Sequence, residues 1–147
     1  MSRSRAHRRE LCQESRHDVF WRSDVFWRSR AGKALVRNMY RAAEAAKDAK
    51  GLFRWGIREG KDAGHHIVAI TAKKANEART KLRKLGIDIN DFNNGVALPT
   101  SFHQSLHTDA YYNMVNAASR TWKTKADAIT GLEKIAEDLL KQSGKLK

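Results

Sequence analysis

Apolar residues recur at helical spacing over much of this chain, with two short strand-like interruptions after Gly64. Ala34, Leu35, Met39, Ala42 and Ala46 fall three or four apart with basic residues between them, which predicts a helix over residues 31–49 stopped by Gly51. Residues 51–64 hold Gly51, Gly56, Gly60 and Gly64 and read as a linker with an apolar patch at Leu52, Phe53 and Trp55. The short run Ile67-Val68-Ala69-Ile70 predicts a strand. Thr71 is placed to cap a helix whose face is Ala72, Ala75, Ala78, Leu82 and Leu85, with Gly86 just past its end. Residues 87–95 are turn-rich, and Asn94-Gly95 suits a tight hairpin turn. Val96-Ala97-Leu98 predicts a second strand, ended by Pro99. Thr108 is placed to cap a helix to about Trp122. Thr124 and Asp127 form a capping-box pattern ahead of the stripe Ile129, Leu132, Ile135, Leu139 and Leu140, which reads as core. Tyr111 and Tyr112 read as packing residues, with one within reach of a phosphate.

Charge narrows the partner. Lys and Arg number 29 against 16 Asp and Glu, a net charge of +13, which favours a polyanion and says little about fold. Residues 1–60 carry 15 basic and 7 acidic side chains, net +8; residues 61–147 carry 14 and 9, net +5. The excess lies towards the N-terminal side, where Asp18-Val-Phe-Trp-Arg-Ser23 repeats at once as Asp24-Val-Phe-Trp-Arg-Ser29. A six-residue unit present twice is too short for a solenoid. Residues 1–30 therefore read as a basic, flexible arm, although Trp21, Arg22, Trp27 and Arg28 have the chemistry to stack on bases. Cys12 stands alone, which excludes an internal disulfide and a cysteine zinc site. With no transmembrane run and no secretory leader, the chain as encoded is expected in the cytoplasm, or in a target cell's cytoplasm after delivery by a carrier or secretion system.

Four of the six histidines lie between 65 and 107. His103 and His107 are four apart and share a face if Ser101–Thr108 is helical, so they can chelate one ion. Alone, such a pair is ordinarily two solvated or core histidines. His65 and His66 open a strand-like run, and neighbours on a strand point to opposite faces. Different tasks follow: one histidine on a metal, the other a base, since an ordinary imidazole titrates near neutral pH.

The order Gly64-His65-His66-Ile67-Val68, then the alanine-rich helix Ala72–Leu85, Gly86-Ile87-Asp88-Ile89-Asn90, Asn94-Gly95-Val96-Ala97-Leu98-Pro99, His103, His107-Thr108 and Tyr111-Tyr112 resembles the AHH nuclease domain of the HNH/endonuclease VII (His-Me finger) superfamily, a toxin module of bacterial polymorphic toxin systems. The resemblance spans roughly residues 61–142, and the motif order is also similar to that of the nuclease colicins. It implies an α+β, predominantly helical fold, with a treble-clef-like ββα-metal finger embedded among helices. Residues 31–60 read from their pattern as a helix and linker, and by the resemblance 61–147 form the nuclease domain. His65, His103 and His107 would ligate one divalent metal (zinc or another transition metal, or magnesium), His66 would be the general base, and Asn94 would hold the loop or act at the metal. Gly64 stands where the family has alanine, and Ala69 where a proline is expected, which would loosen the turn after the histidines. Lys73, Lys74, Arg79, Lys81, Arg83 and Lys84 are candidates to track a DNA or RNA backbone, although any one of them read singly is a solvated helix position. The resemblance further implies an acidic immunity protein as partner. A non-catalytic, zinc-stabilised nucleic-acid-binding module is the alternative, and it predicts a closed four-ligand site. Membrane insertion is disfavoured, for no segment has the length or amphipathic character it needs.

Overall fold

The computed structural model describes residues 30–46 and 48–147, so the hexapeptide repeat and Cys12 lie outside the described residues. Helix α1 is Arg30–Ala46 and α2 is Ala49–Trp55. Strand β1, Asp62–His66, is followed by a 3-10 turn, Lys73–Ala75, and by α3, Asn76–Lys84. A second 3-10 turn, Phe92–Asn94, enters strand β2, Gly95–Pro99, and α4, Thr100–Ser105, follows directly. Helices α5, Asp109–Arg120, and α6, Lys125–Gln142, complete the chain. The architecture is α+β and predominantly helical, as expected, with β1, β2 and α4 as its ββα unit. The cap chemistry read from the sequence is present at α5, where Thr108 accepts from the Tyr111 amide, and at α6, where Thr124 and Asp127 form the reciprocal box. Gly86, at φ +70°, ends α3 in the left-handed conformation that favours glycine.

The two strands are antiparallel, with His65 opposite Val96 and His66 opposite Gly95. A lone two-stranded ribbon is marginal in water, so both of its faces need cover. Opposed residues share a face. Ala63, His65, Val96 and Leu98 therefore lie on one side, where Val96 and Leu98 join the main core with Ile67, Val68, Leu82, Val115, Leu132 and Leu139. Gly64, His66, Gly95 and Ala97 lie on the other, where Ala97 packs with Leu35 and Met39 of α1. A Cβ on Gly95 would sit 2.9 Å from both the Leu35 Cδ1 and the Met39 Sδ, so a side chain at residue 95 would force these two core side chains of α1 to shift.

The chain departs from the sequence reading at several local points, among them Gly51, read as a helix stop but inside α2. The strand predicted at 67–70 lies at 62–66, so the histidines close it and do not open it. Ile67 and Val68 are fully buried residues of the connection. Their backbone groups are taken by Asn94: its carbonyl accepts from the Ile67 amide, its Oδ1 accepts from the Val68 amide at 2.8 Å, and its Nδ2 donates to the Val68 and Ile89 carbonyls. Asn94-Gly95 is consequently no hairpin turn; β1 and β2 are joined by the whole of residues 67–94. Thr71 caps nothing, since Ala72 precedes the 3-10 turn without a side-chain bond. Finally, part of the expected linker is α2, started by the Asp48 side chain, which accepts from the Gly51 amide. Its Arg54 is buried and donates to the Asn93 carbonyl at 2.9 Å.

Candidate metal centre

Three elements deliver the histidine cluster. His65 sits at the end of β1 on the core face, His103 on α4, and His107 two residues past that helix. Helix α4 stops at Ser105, short of the helical span 101–108 expected, because Thr108 is already the N-cap of α5. His107 nevertheless stays beside His103, with ring centroids 4.9 Å apart, and His65 stands 5.1 and 5.6 Å from the two. One ring nitrogen from each of the three lies within 4.8 Å of the others. His103 Nε2 and His107 Nε2 are 3.4 Å apart. A tetrahedral zinc with nitrogen ligands at about 2.0–2.1 Å holds neighbouring nitrogens about 3.3–3.4 Å apart, so this edge already has the spacing of two ligands.

The electrostatics suit a cation. His65 is fully buried and His103 nearly so. Burial, followed by the neighbouring imidazoles, pushes His65 far below the usual histidine range and His103 to about 4; burial alone lowers His107. All three are therefore neutral at physiological pH, with lone pairs available to a metal. Nδ1 of His65 is buried without a hydrogen-bond partner, a cost of about 1–3 kcal/mol that a bound ion offsets where it takes the lone pair. Imidazole donors without thiolate favour zinc, nickel or copper over magnesium.

His66 lies on the opposite face of β1, as strand alternation requires. Its Nε2 is 3.0 Å from the Asn90 Oδ1; an amide oxygen only accepts, so Nε2 carries the proton and Nδ1 the lone pair. Asn90 is itself fixed, its amide donating to the Asp88 carboxylate and its carbonyl accepting from the Asn38 side chain of α1. Burial lowers His66 to about 4, against the Asn90 bond and the Asp88 charge, which raise it. That is well below the near-neutral titration ascribed to an ordinary imidazole.

Asn94, the other sequence candidate, is fully buried and holds the connection after β1. Sequence reasoning passed over three residues that contact the histidines: Asn90 and the two tyrosines read as packing. Tyr111 reaches His65 Nε2 at 2.8 Å and Tyr112 reaches His107 Nδ1 at 3.2 Å. All three stood in the motif order that carries the resemblance, but nothing in the sequence paired them with the histidines.

The basic candidates divide. Lys73, Arg83 and Lys84 are exposed, and Lys81 is half-buried with the Glu77 carboxylate nearby. Lys74 is ion-paired with Asp109. Arg79 Nη1 donates to the carbonyls of Ala69 and Ala72 at 2.8 and 2.6 Å, bracing the turn in which alanine stands for the expected proline. Among the described residues, no helix is long and apolar enough to cross a membrane.

Compared with known proteins, residues 56–142, more than half of the chain, match the profile of a nuclease family of the HNH/ENDO VII superfamily with conserved AHH. No curated protein and no solved structure matches the chain.

Proposed function

The chain belongs to the AHH nuclease family of the HNH/ENDO VII superfamily, and from that premise we propose that it is a metal-dependent endonuclease hydrolysing nucleic-acid phosphodiester bonds. The observation that carries the reading is the set of three neutral imidazoles, two of them spaced as ligands of one ion, beside a fourth on the opposite strand face. In this reading His65, His103 and His107 hold a divalent cation. A cation held there would supply Lewis acidity, neutralising charge on the scissile phosphate and on the departing oxygen.

His66 is the general base. Held by Asn90 through Nε2–H, it accepts the proton of the attacking water at Nδ1. The water oxygen bonds to phosphorus and the P–O ester bond breaks, its electron pair leaving with the departing oxygen. An imidazole near pKa 4 is neutral at working pH but weakly basic. The negative charge of an arriving phosphate raises it towards the useful range. Asn94 acts at a distance from the chemistry, by fixing the chain between the His65-His66 pair and β2. Lys73, Lys81, Arg83 and Lys84 supply backbone-tracking charge.

The set of three histidines found among the described residues favours catalysis over a closed structural zinc site, which takes four protein ligands. Within the family we further place this protein as a toxin module restrained by an acidic immunity protein. Its net charge of +13 would speed capture by such a partner. Nicking of supercoiled plasmid and degradation of RNA, each with zinc, nickel or magnesium and with chelator, test the proposal. Cleavage that is lost on chelation and restored by metal is expected; metal uptake without cleavage of either polymer would select the non-catalytic binding module. Arrested growth on expression in a host lacking an acidic partner, relieved by supplying one, is expected for the toxin assignment.

A further inference from the structure

Tyr111 is buried against His65, their ring centroids 5.4 Å apart. Its oxygen lies 2.8 Å from His65 Nε2 and 3.0 Å from the Ile67 carbonyl oxygen. A phenol is protonated at neutral pH and has one proton to donate. A carbonyl only accepts, so that proton goes to Ile67. The same phenol oxygen must then accept from His65, which places the imidazole proton on Nε2. A neutral imidazole has one N–H, so the lone pair falls on Nδ1. That nitrogen is buried and has no hydrogen-bond partner.

We propose that Tyr111 is a positioning residue that locks His65 in the Nε2–H tautomer and thereby selects Nδ1 as the nitrogen through which His65 takes the metal. The proposal rests on the metal reading above. It makes the ligand set mixed. On His107 the phenol of Tyr112 is at Nδ1 and the other nitrogen, Nε2, faces His103 Nε2, so His107 binds through Nε2 while His65 binds through Nδ1. Two adjacent tyrosines of α5 thus brace two ligands from outside, each through the nitrogen its ligand does not use. The hydroxyl of Tyr111 also ties the His65 ring to the backbone of Ile67, two residues on, so the end of β1 and the orientation of its histidine are set together.

The test uses the full metal-free chain labelled with 15N. Long-range nitrogen–proton NMR of the imidazoles is expected to show His65 protonated at Nε2. In Tyr111→Phe, which removes only the hydroxyl, the two His65 tautomers should both be populated, and calorimetric zinc affinity should fall about 10- to 100-fold. A parent His65 protonated at Nδ1 overturns the proposal, and this observation does not depend on how the variant folds. Parental zinc affinity in a folded Tyr111→Phe also overturns it while leaving the metal reading intact. A parent chain that binds no zinc overturns both.

Discussion

At the residue scale, His65 and His66 are consecutive, yet face opposite sides of a two-stranded ribbon and sit in different hydrogen-bond environments. Their substitutions should therefore fail differently. His66→Ala is expected to lower cleavage by about 10²–10⁴ while zinc affinity stays near parental. His65→Ala is expected to weaken zinc binding itself, with activity following occupancy. A nicking assay beside calorimetric zinc titration checks both; loss of zinc binding in His66→Ala and its retention in His65→Ala would reverse the assignment. Asn94 belongs to a different class of residue. Its side chain satisfies both backbone groups of Val68 and the Ile89 carbonyl in the interior, so Asn94→Ala leaves buried polar groups unpaired. A loss of about 1–3 kcal/mol in urea unfolding is expected, with the zinc stoichiometry of the folded fraction unchanged.

At the element scale, the ribbon is held from both ends of the sequence. The Asp62 side chain, wholly inaccessible at the start of β1, accepts from the backbone and guanidinium of Arg58 and from Lys145 Nζ at 3.0 Å. Lys145 also donates to the carbonyls of Gly56 and Ala97, so the residue three places after α6 ties the C-terminus to β2. Burial alone would raise the Asp62 carboxyl, but the Arg58 and Lys145 bonds outweigh it and bring it down to about 2 from 3.8. Because the folded value lies below the unfolded one, the clasp contributes fully above about pH 4, and its contribution is lost as pH falls through about 2. Urea midpoints at pH 5 and pH 2.5 should show a smaller acid loss in Asp62→Asn than in the parent, although the variant is weaker at pH 5. Equal acid losses in the two proteins would show that Asp62 does not drive this part of the transition.

At the scale of the whole molecule, the matched region begins at Gly56, yet the packing that supports it begins earlier. Leu35 and Met39 of α1 cover Gly95 and Ala97, and Asn38 holds the residue that holds His66. Fully burying two such apolar side chains is worth about 1.5–3 kcal/mol each. A chain of residues 30–147 is therefore expected to keep cleavage and thermal stability close to those of the full protein, with a shallower salt dependence of binding because the first 29 residues are rich in arginine. A chain of residues 61–147 should melt at a lower temperature and cleave less, having lost α1, α2 and the Asn38 bond. Thermal denaturation and nicking of the two truncations side by side check this; equal behaviour would make α1 and α2 dispensable.

The sequence by itself determined what local chemistry writes in short-range pattern. Legible there were the apolar stripe of α6, Leu35 and Met39 of α1, Ala78 and Leu82 of α3, the caps at Thr108 and Thr124, the glycine that ends α3, the strand at Val96-Ala97-Leu98, and the motif order that carries the family resemblance, whereas Ala72 and Ala75, read as helical, precede α3. Strand alternation also put the adjacent histidines on opposite faces, although the strand itself was displaced by several residues, because alternation does not depend on where a strand begins. Only the tertiary structure decided where β1 ends, since Ile67 and Val68 have strand-forming side chains but lose their backbone partners to an asparagine 26 residues away from Val68. It alone decided which asparagine meets His66, because Asn90 and Asn94 share one loop and differ in what packs behind them, α1 behind the first and the buried connection behind the second. It alone gave Tyr111 its partner, since a phenol in a helix reads as packing until a distant strand brings an imidazole to its oxygen. Burial, likewise invisible in local pattern, took the four imidazoles below their ordinary range, so that all four are neutral at physiological pH.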